Sequence, residues 1–314
     1  MNTHRIGKLA IKGANSTINI ILLTVILVLL AFAGYALWDS KQIYLAADKS
    51  NYAIYKPTVE NEGKSFRELQ EINSEIFAWL SVYGTNIDYP VTQGQDNMKY
   101  VNTNAEGLYS LSGSIFLDFG NSRDFSDFNS IIYGHHMEKK AMFGEIGNFA
   151  EKGMFDNHMY GNLYFDGKDH GIVFFAFVHT NAYDGSTYST NVTGQEARQI
   201  YLDNLLTKSI HKREIGVTTE DHIVLLSTCS SSSTNGRDIL VGKITDEVYP
   251  DMTIIPATDV DVEEQTVADS EYCLVKGLPL LALLLIVVLI ILLVICIVVL
   301  CNRRKKKKER KKAV

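Results

Sequence analysis

Cysteine is scarce in this chain, with four in 314 residues. Cys296 and Cys301 lie within a long apolar run, and Cys273 lies just ahead of it. Cys229 is therefore the lone thiol in the body of the chain, which excludes a disulfide framework there. Charge is absent from two stretches, residues 17–38 (TINIILLTVILVLLAFAGYALW) and 278–301 (LPLLALLLIVVLIILLVICIVVLC). Each is long enough to cross a bilayer, for which about 20 apolar residues suffice. Acidic residues are missing ahead of Asp39, where Arg5, Lys8 and Lys12 stand alone, and NRRKKKKERKK follows the second stretch. Positive flanks are retained in the cytoplasm. The expectation is a two-pass protein of the cell membrane, with both termini cytoplasmic and the intervening residues extracellular. The first run is longer than a signal-peptide core, which favours an uncleaved anchor over cleavage near Ala31-Phe32-Ala33.

The average composition hides this segregation. Three basic residues precede the first span and nine of the tail follow the second, so 18 Lys and Arg remain between the spans against 35 Asp and Glu. An outer region near −17 disfavours nucleic acid as a partner. The basic tail is a topology signal, with membrane lipid as a secondary contact. The expected organisation is a cytoplasmic N-terminus (1–16), a transmembrane helix (17–38), an extracellular stalk (39–64), a folded domain (65–256), an acidic linker (257–277), a second transmembrane helix (278–301) and a basic cytoplasmic tail (302–314).

Within the folded region, Ser65-Phe-Arg-Glu68 has the form of a capping box. Phe66, Leu69, Ile72, Ile76 and Trp79 then recur at helical spacing, predicting an amphipathic stretch with a break near Asn73. From about residue 85 the pattern becomes short runs rich in β-branched and aromatic residues between Gly, Asn and Asp clusters. Strands are predicted at 113–118, 129–133, 172–179, 222–228, 238–244 and 252–255. Several of these runs are continuous rather than alternating, as expected for strands buried on both faces or closed into a barrel. A second capping box, Thr193-Gly-Gln-Glu196, starts a predicted helix with Ala197, Ile200, Tyr201, Asn204 and Leu205 on one face. No internal repeat is present.

Three clusters carry chemistry. Leu225-Leu226-Ser227-Thr228-Cys229 places the lone thiol at the end of the most apolar predicted strand. A thiol attacks as thiolate, and its ordinary pKa near 8.5 calls for a nearby base or cation. Ile131-Ile132-Tyr133-Gly134-His135-His136-Met137 also ends a predicted strand, and His135 is a candidate to take the thiol proton and return it to a leaving amine. Adjacent residues on an extended segment face opposite ways, so the His pair is a poor metal site. Asn235-Gly236-Arg237 follows a short turn after Cys229, from which the guanidinium could stabilise an oxyanion or hold a substrate carbonyl. Taken singly, each has a plainer reading: inert packing, a satisfied core histidine, a surface ion pair. Their coincidence forms an acyl-transfer set.

At these residues the sequence resembles the sortases. LLSTC is similar to the sortase signature Thr-Leu-x-Thr-Cys, with Leu225 in place of the leading Thr. YGHHM followed by Met142-Phe143-Gly144 resembles the histidine segment of class B sortases. So do Asn86-Ile-Asp-Tyr-Pro-Val91, Asp96-Asn97 with Tyr100, and GSIFLDFGNSRDFSDFNSIIYGH. The resemblance runs from about residue 65 to 255. It implies a mainly β fold, a closed β-barrel of about eight strands with N-terminal helices and a helical insertion near 194–208, here flanked by two transmembrane helices. It implies a cysteine transpeptidase that cleaves a C-terminal LPxTG- or NPxTN-like sorting signal of a surface protein or pilin through a thioacyl-enzyme. An amine acceptor, either a peptidoglycan precursor or a pilin lysine, then resolves that intermediate. By motif match Cys229 is the nucleophile, His135 the acid/base and Arg237 the oxyanion or positioning group, while Ser227, Tyr133 and Asn97 line the substrate groove. No metal or organic cofactor is implied. One departure stands out: the C-terminal span and basic tail resemble class C, yet no Asp precedes any of the five prolines, so the class C lid motif is missing.

Two rivals share the residues. A hydrolytic, papain-like peptidase is disfavoured by chain order, since His135 precedes Cys229. A non-catalytic adhesin or receptor on the same barrel requires Cys229 to be buried and unreactive.

Overall fold

The computed structural model describes residues 3–58, 63–231 and 233–251. The strand expected at 252–255, the acidic linker, the second apolar span and the basic tail lie outside the described residues. The segment up to Gln42 forms one unit and the chain from Ile43 another. The first is helical, the greater part of α1 (Thr3–Ala46), and contains the 17–38 run. Among the described residues it is the one helix long and apolar enough to cross a membrane, and none of its apolar window is buried.

The second unit is built on β1 (Ile76–Val82), β2 (Asp88–Thr92), β3 (Ile115–Leu117), β4 (Asn129–Tyr133), β5 (Tyr160–Phe165), β6 (Lys168–Asn181), β7 (Ser209–Lys212), β8 (Ile223–Cys229) and β9 (Gly236–Thr245). The strands pair in the order β5-β1-β2-β3-β4-β8-β9-β6-β7, and β5 also pairs with β6. That last pairing closes eight strands into a ring and leaves β7 as an extra strand on β6. Closure removes the open edges that an eight-stranded sheet would otherwise expose. Two neighbours run parallel, β2–β3 and β4–β8. The second of these decides where the chemistry sits.

Two clusters of apolar side chains hold the barrel. One draws from strands all round the ring, including Leu80, Val91, Ile132, Phe174, Val224, Leu226 and Leu240, and fills the interior. The other joins Ile131, Phe175, Val178, Ile223, Leu225, Ile239 and Val241 to Tyr201, Leu202 and Leu205 of α4 (Gln195–Lys208) on the outside. β8 therefore contributes alternate residues to two cores, which is why its sequence is apolar without a break. Its residues Ile223–Leu226 are all at 0% exposure, each contributing about 1.5–3 kcal/mol by burial.

Several expectations are corrected. The N-terminal amphipathic stretch is a helix only over α2 (Lys64–Ile72), with Gly63 rather than Ser65 at its N-cap. Ile76 and Trp79 belong to β1, because the continuous run IFAWLSV finds two strand partners, β2 and β5. A run without gaps satisfies helical and extended spacing alike. α4 likewise starts beyond the expected Thr193 cap, with Gly194 as N-cap, and Ile200 is 55% exposed rather than packed. β3 is shorter than expected because Gly113, at φ +61, turns the chain against Tyr100 O. Part of the segment expected as a polar stalk is packed: Ala47 and Tyr52 are buried in the core.

Candidate active site

In the parallel pair β4–β8, Tyr133 is the register partner of Ser227. The pairing continues past the strand ends. Gly134 N–H donates to Ser227 O at 3.2 Å, and Thr228 Oγ1 donates to Gly134 O at 2.8 Å. Two residues beyond Tyr133 is His135, and two beyond Ser227 is Cys229. Cys229 is the last residue of β8, while His135 lies beyond the end of β4. On the other side of β8, Cys229 is directly opposite Arg237 across the antiparallel pair with β9. The structure thus sets Arg237 opposite Cys229, and leaves His135 two residues past the end of β4, the parallel neighbour of β8.

Alternation also settles which face Cys229 and Arg237 share. Ile131, Ile223, Leu225, Ile239 and Val241 belong to the outer core beneath α4. At a period of two, Tyr133, Ser227, Cys229 and Arg237 continue that face beyond α4. Thr228 and Asp238 take the opposite face. Cys229 is exposed and free, not the buried thiol that a non-catalytic barrel requires.

Each group is positioned by a partner that limits what it can do. His135 Nε2 lies 2.8 Å from Val101 O. A carbonyl can only accept, so Nε2 carries the proton in the neutral ring and Nδ1 is its basic nitrogen. Arg237 donates through Nη1 to Gly236 O at 2.9 Å, leaving other donors of its fork for a ligand. Gly236 admits a close approach there, since an added Cβ would lie 2.2 Å from Ser233 Oγ and 3.0 Å from Ser230 Cβ, and the serines would have to move.

Around Ser227 stand partly buried aromatics tied to polar anchors. Tyr133 O–H donates to Asp118 Oδ2 at 2.9 Å, and Asn97 Nδ2 donates to the same oxygen at 2.7 Å. Asn97 Oδ1 accepts Phe119 N–H at 2.9 Å. Burial, and then the Asp118 carboxylate, raise the Tyr133 hydroxyl far above its ordinary pKa, so it is a permanent donor. Asn97 and Tyr133 are therefore brought together, through a shared buried carboxylate that sequence reasoning missed. Tyr188 was also missed. Its ring stacks on Tyr133 with centroids 6.2 Å apart, and its hydroxyl is 2.8 Å from Ser227 Oγ. Burial pushes Tyr188 up to about 12, with opposing contributions from Arg237 and Cys229 that place it in the field of both. A Tyr in the loop between β6 and α4 carries no motif, and only the folded chain reveals it.

Set against known proteins, no family model matches the chain. Sortase B of Staphylococcus aureus is 33% identical over 190 residues, covering 59% of this chain and 76% of that relative. The chain belongs to the sortase B family. Crystal structures agree in fold: sortase B from the type II pilus of Streptococcus pneumoniae is 45% identical with a TM-score of 0.51, covering 57% of this chain and 98% of that one. A Streptococcus pyogenes class B sortase involved in pilus biogenesis is 40% identical with a TM-score of 0.54, covering 58% and 99%. Like other sortases, this one is a cysteine transpeptidase acting on surface proteins that bear sorting signals. The eight-stranded ring with its α4 insertion is the sortase barrel.

Proposed function

We propose that Cys229 is the nucleophile, His135 the acid/base and Arg237 the oxyanion group. The thiolate of Cys229 attacks the carbonyl carbon of the scissile bond in an LPxTG- or NPxTN-like sorting signal. Arg237, its cross-strand neighbour, stabilises the negative oxygen of the tetrahedral intermediate. That intermediate collapses with cleavage of the C–N bond, and His135 gives the leaving amine a proton. The thioester is then attacked by an acceptor amine, which loses its proton to His135 as the Cys229 thiolate departs. Ser227, Tyr133 and Asn97, with Tyr188, form the substrate wall. The observation that supports this reading is the register: β9 sets Arg237 opposite the exposed Cys229, and β4, the other neighbour of β8, leads into His135 two residues past its end.

The acceptor in this reading is a lysine amine on a second surface protein, so that the enzyme polymerises pilins. Two features support it. The pilus sortases are 45% and 40% identical to this chain, whereas the S. aureus sortase B–substrate complex is 30% identical. The acidic outer region also attracts a cationic side-chain amine. A two-pass arrangement, with the domain outside and both basic flanks inside, would hold the enzyme beside substrates still anchored in the membrane.

The test incubates the full-length chain with peptides of both signal forms and two competing amines, triglycine and Nα-acetyl-lysine amide, followed by mass spectrometry. Lysine-linked product is expected, together with loss of all turnover and of the thioacyl adduct in Cys229→Ala. Turnover in that variant defeats the mechanism. Exclusive triglycine product redirects the acceptor to the cell wall, and exclusive hydrolysis favours the peptidase reading.

A further inference from the structure

The loop that follows His135 is held in an unfavourable backbone conformation. Lys139, Lys140 and Met142 have φ of +56, +62 and +51, three of the five non-glycine residues with positive φ among the described residues. Left-handed backbone in non-glycine residues is disfavoured because Cβ crowds the carbonyl, and it persists only where the surroundings enforce it. The loop begins and ends on the histidine. Phe143 N–H donates to His135 O at 3.0 Å, and His136 bridges to Met142. Phe143 is fully buried and lies against Gly134, where an added Cβ would stand 2.7 Å from its ring. A shift at Met142 or Phe143 therefore moves the backbone of residues 134 and 135.

One tie on the buried Met142 comes from a hydroxyl outside the loop. Met142 N–H donates to Tyr89 Oη at 3.1 Å, and Tyr89 O–H donates to Ala47 O at 2.9 Å. Tyr89 is 2% exposed, and burial pushes its hydroxyl up to about 12, so it remains a donor at neutral pH. Both hydrogen-bonding capacities of that oxygen are in use, one on the loop and one on the segment preceding the barrel. Other ties are the Gly144 N–H bond to Ala141 O at 2.9 Å, the Lys139 Nζ 4.4 Å above the Tyr44 ring, and Lys140 Nζ 3.4 Å from the buried Glu145.

We infer that Tyr89 is a positioning residue for His135, bracing the left-handed loop through Met142 N–H against the Ala47 carbonyl. The inference rests on the reading of His135 as the acid/base. Removing the hydroxyl frees Met142 to relax, and the loop then carries His135 away from its place beside Cys229. Substrate contacts are untouched, so the defect falls on kcat and not on KM.

The experiment uses the full-length chain in detergent micelles with quenched peptides of the Leu-Pro-x-Thr-Gly and Asn-Pro-x-Thr-Asn forms, alongside thermal melts. Tyr89→Phe is expected to lower kcat about tenfold, with KM within about twofold, because the loop samples displaced conformations most of the time. Lys140→Gly alone leaves kcat near its original value. In the Tyr89→Phe background it recovers at least about threefold of the loss, because glycine carries no left-handed penalty. An unchanged kcat in Tyr89→Phe overturns the brace. So does a loss that Lys140→Gly does not relieve and that follows the unfolded fraction in the melts. His135→Ala separates the levels: full loss there with a normal Tyr89→Phe sinks the brace alone, while retained turnover sinks the acid/base reading and the brace with it.

Discussion

Asp184 offers a sharp test of how the proposed substrate wall is held. It sits in the loop between β6 and α4, four residues before Tyr188, and its carboxylate accepts from Thr180 Oγ1 at 2.6 Å, Ser186 Oγ at 2.7 Å, Thr187 Oγ1 at 2.8 Å and the Lys208 ammonium. Lys208 also reaches Ser186 Oγ and Thr187 Oγ1, which ties the end of α4 to the loop. Burial raises the Asp184 pKa, but the hydrogen bonds from Lys208, Thr180, Ser186 and Thr187 outweigh it and hold the carboxyl well below the usual range. Asn at this position keeps one acceptor oxygen and turns an NH₂ group toward an array made of donors. A hydrogen bond to a charged group contributes about 1.5–3 kcal/mol. With side chains 18% and 30% exposed for Asp184 and Lys208, screening reduces the total, and Asp184→Asn should cost about 2–3 kcal/mol. For a domain of this size that is a fall in Tm of roughly 5–10 °C. Because the carboxyl is more acidic folded than unfolded, its contribution is complete above about pH 4 and is lost as pH falls through the folded value. The melting difference between the parent and Asp184→Asn should therefore narrow in acid. The loop also presents Tyr188 to Ser227, so KM for the sorting-signal peptide should rise several-fold. Calorimetric melts at pH 7 and pH 3, with peptide cleavage at pH 7, measure all three. A variant that melts within a degree of the parent at pH 7 and keeps its KM refutes the reasoning.

Two further perturbations probe other parts of the fold. Gly134→Ala places a methyl 2.5 Å from Ile115 Cδ1 and 2.7 Å from the Phe143 ring. It should cost about 1–3 kcal/mol by overpacking and, by displacing His135, reduce thioacyl formation in a quenched-flow assay more than the melt alone accounts for. His170 is 5% exposed and stacks 3.8 Å from Phe165, and burial, followed by the Lys168 charge, lowers its pKa. The unfolded chain binds a proton there below about pH 6.5 while the folded chain resists it, so stability falls with pH below that point. His170→Phe should flatten the decline in Tm between pH 7 and pH 5, and an unchanged slope would show that His170 does not drive it.

The parts of the barrel that sequence could reveal are those where one residue answers to one constraint. β4 matches its predicted span of 129–133, and β8 falls within a residue of 222–228 at each end. Both are apolar runs bounded by polar punctuation, and both are buried on two faces. β1 was misread because its apolar run serves two periods. β5 was missed because Gly161 and Asn162 weaken its propensity, although its burial alternates strictly. β7 is four residues of mixed burial that exist only by pairing with β6. The site divides in the same way. Cys229, His135 and Arg237 lie at or just beyond strand ends and stand in recognisable motifs. Asp118 and Tyr188 act through hydrogen bonds to residues distant in sequence, and Asp184 combines local bonds with one to Lys208, 24 residues on, so no motif marks any of the three.

The geometry also accounts for the place of Cys229, the proposed nucleophile, at the end of β8 rather than within it. Up to Leu226 the strand is closed on both faces, by the interior core and by the core under α4. Ser227 and Thr228 mark the transition: each carries a hydroxyl, and each is 2% exposed with that hydroxyl satisfied, by Tyr188 on the outer face and by Gly134 O on the inner. Cys229 is the first residue of the strand to be exposed. A thiol one residue earlier would face the interior, and two earlier it would sit under Tyr188. At position 229 it keeps the rigid cross-strand register with Arg237 and the parallel register with the His135 segment, while a polypeptide can still approach it from solvent. Rigid placement and open access are competing demands on a nucleophile that must receive first a sorting signal and then an amine, and the end of a central, doubly buried strand meets both.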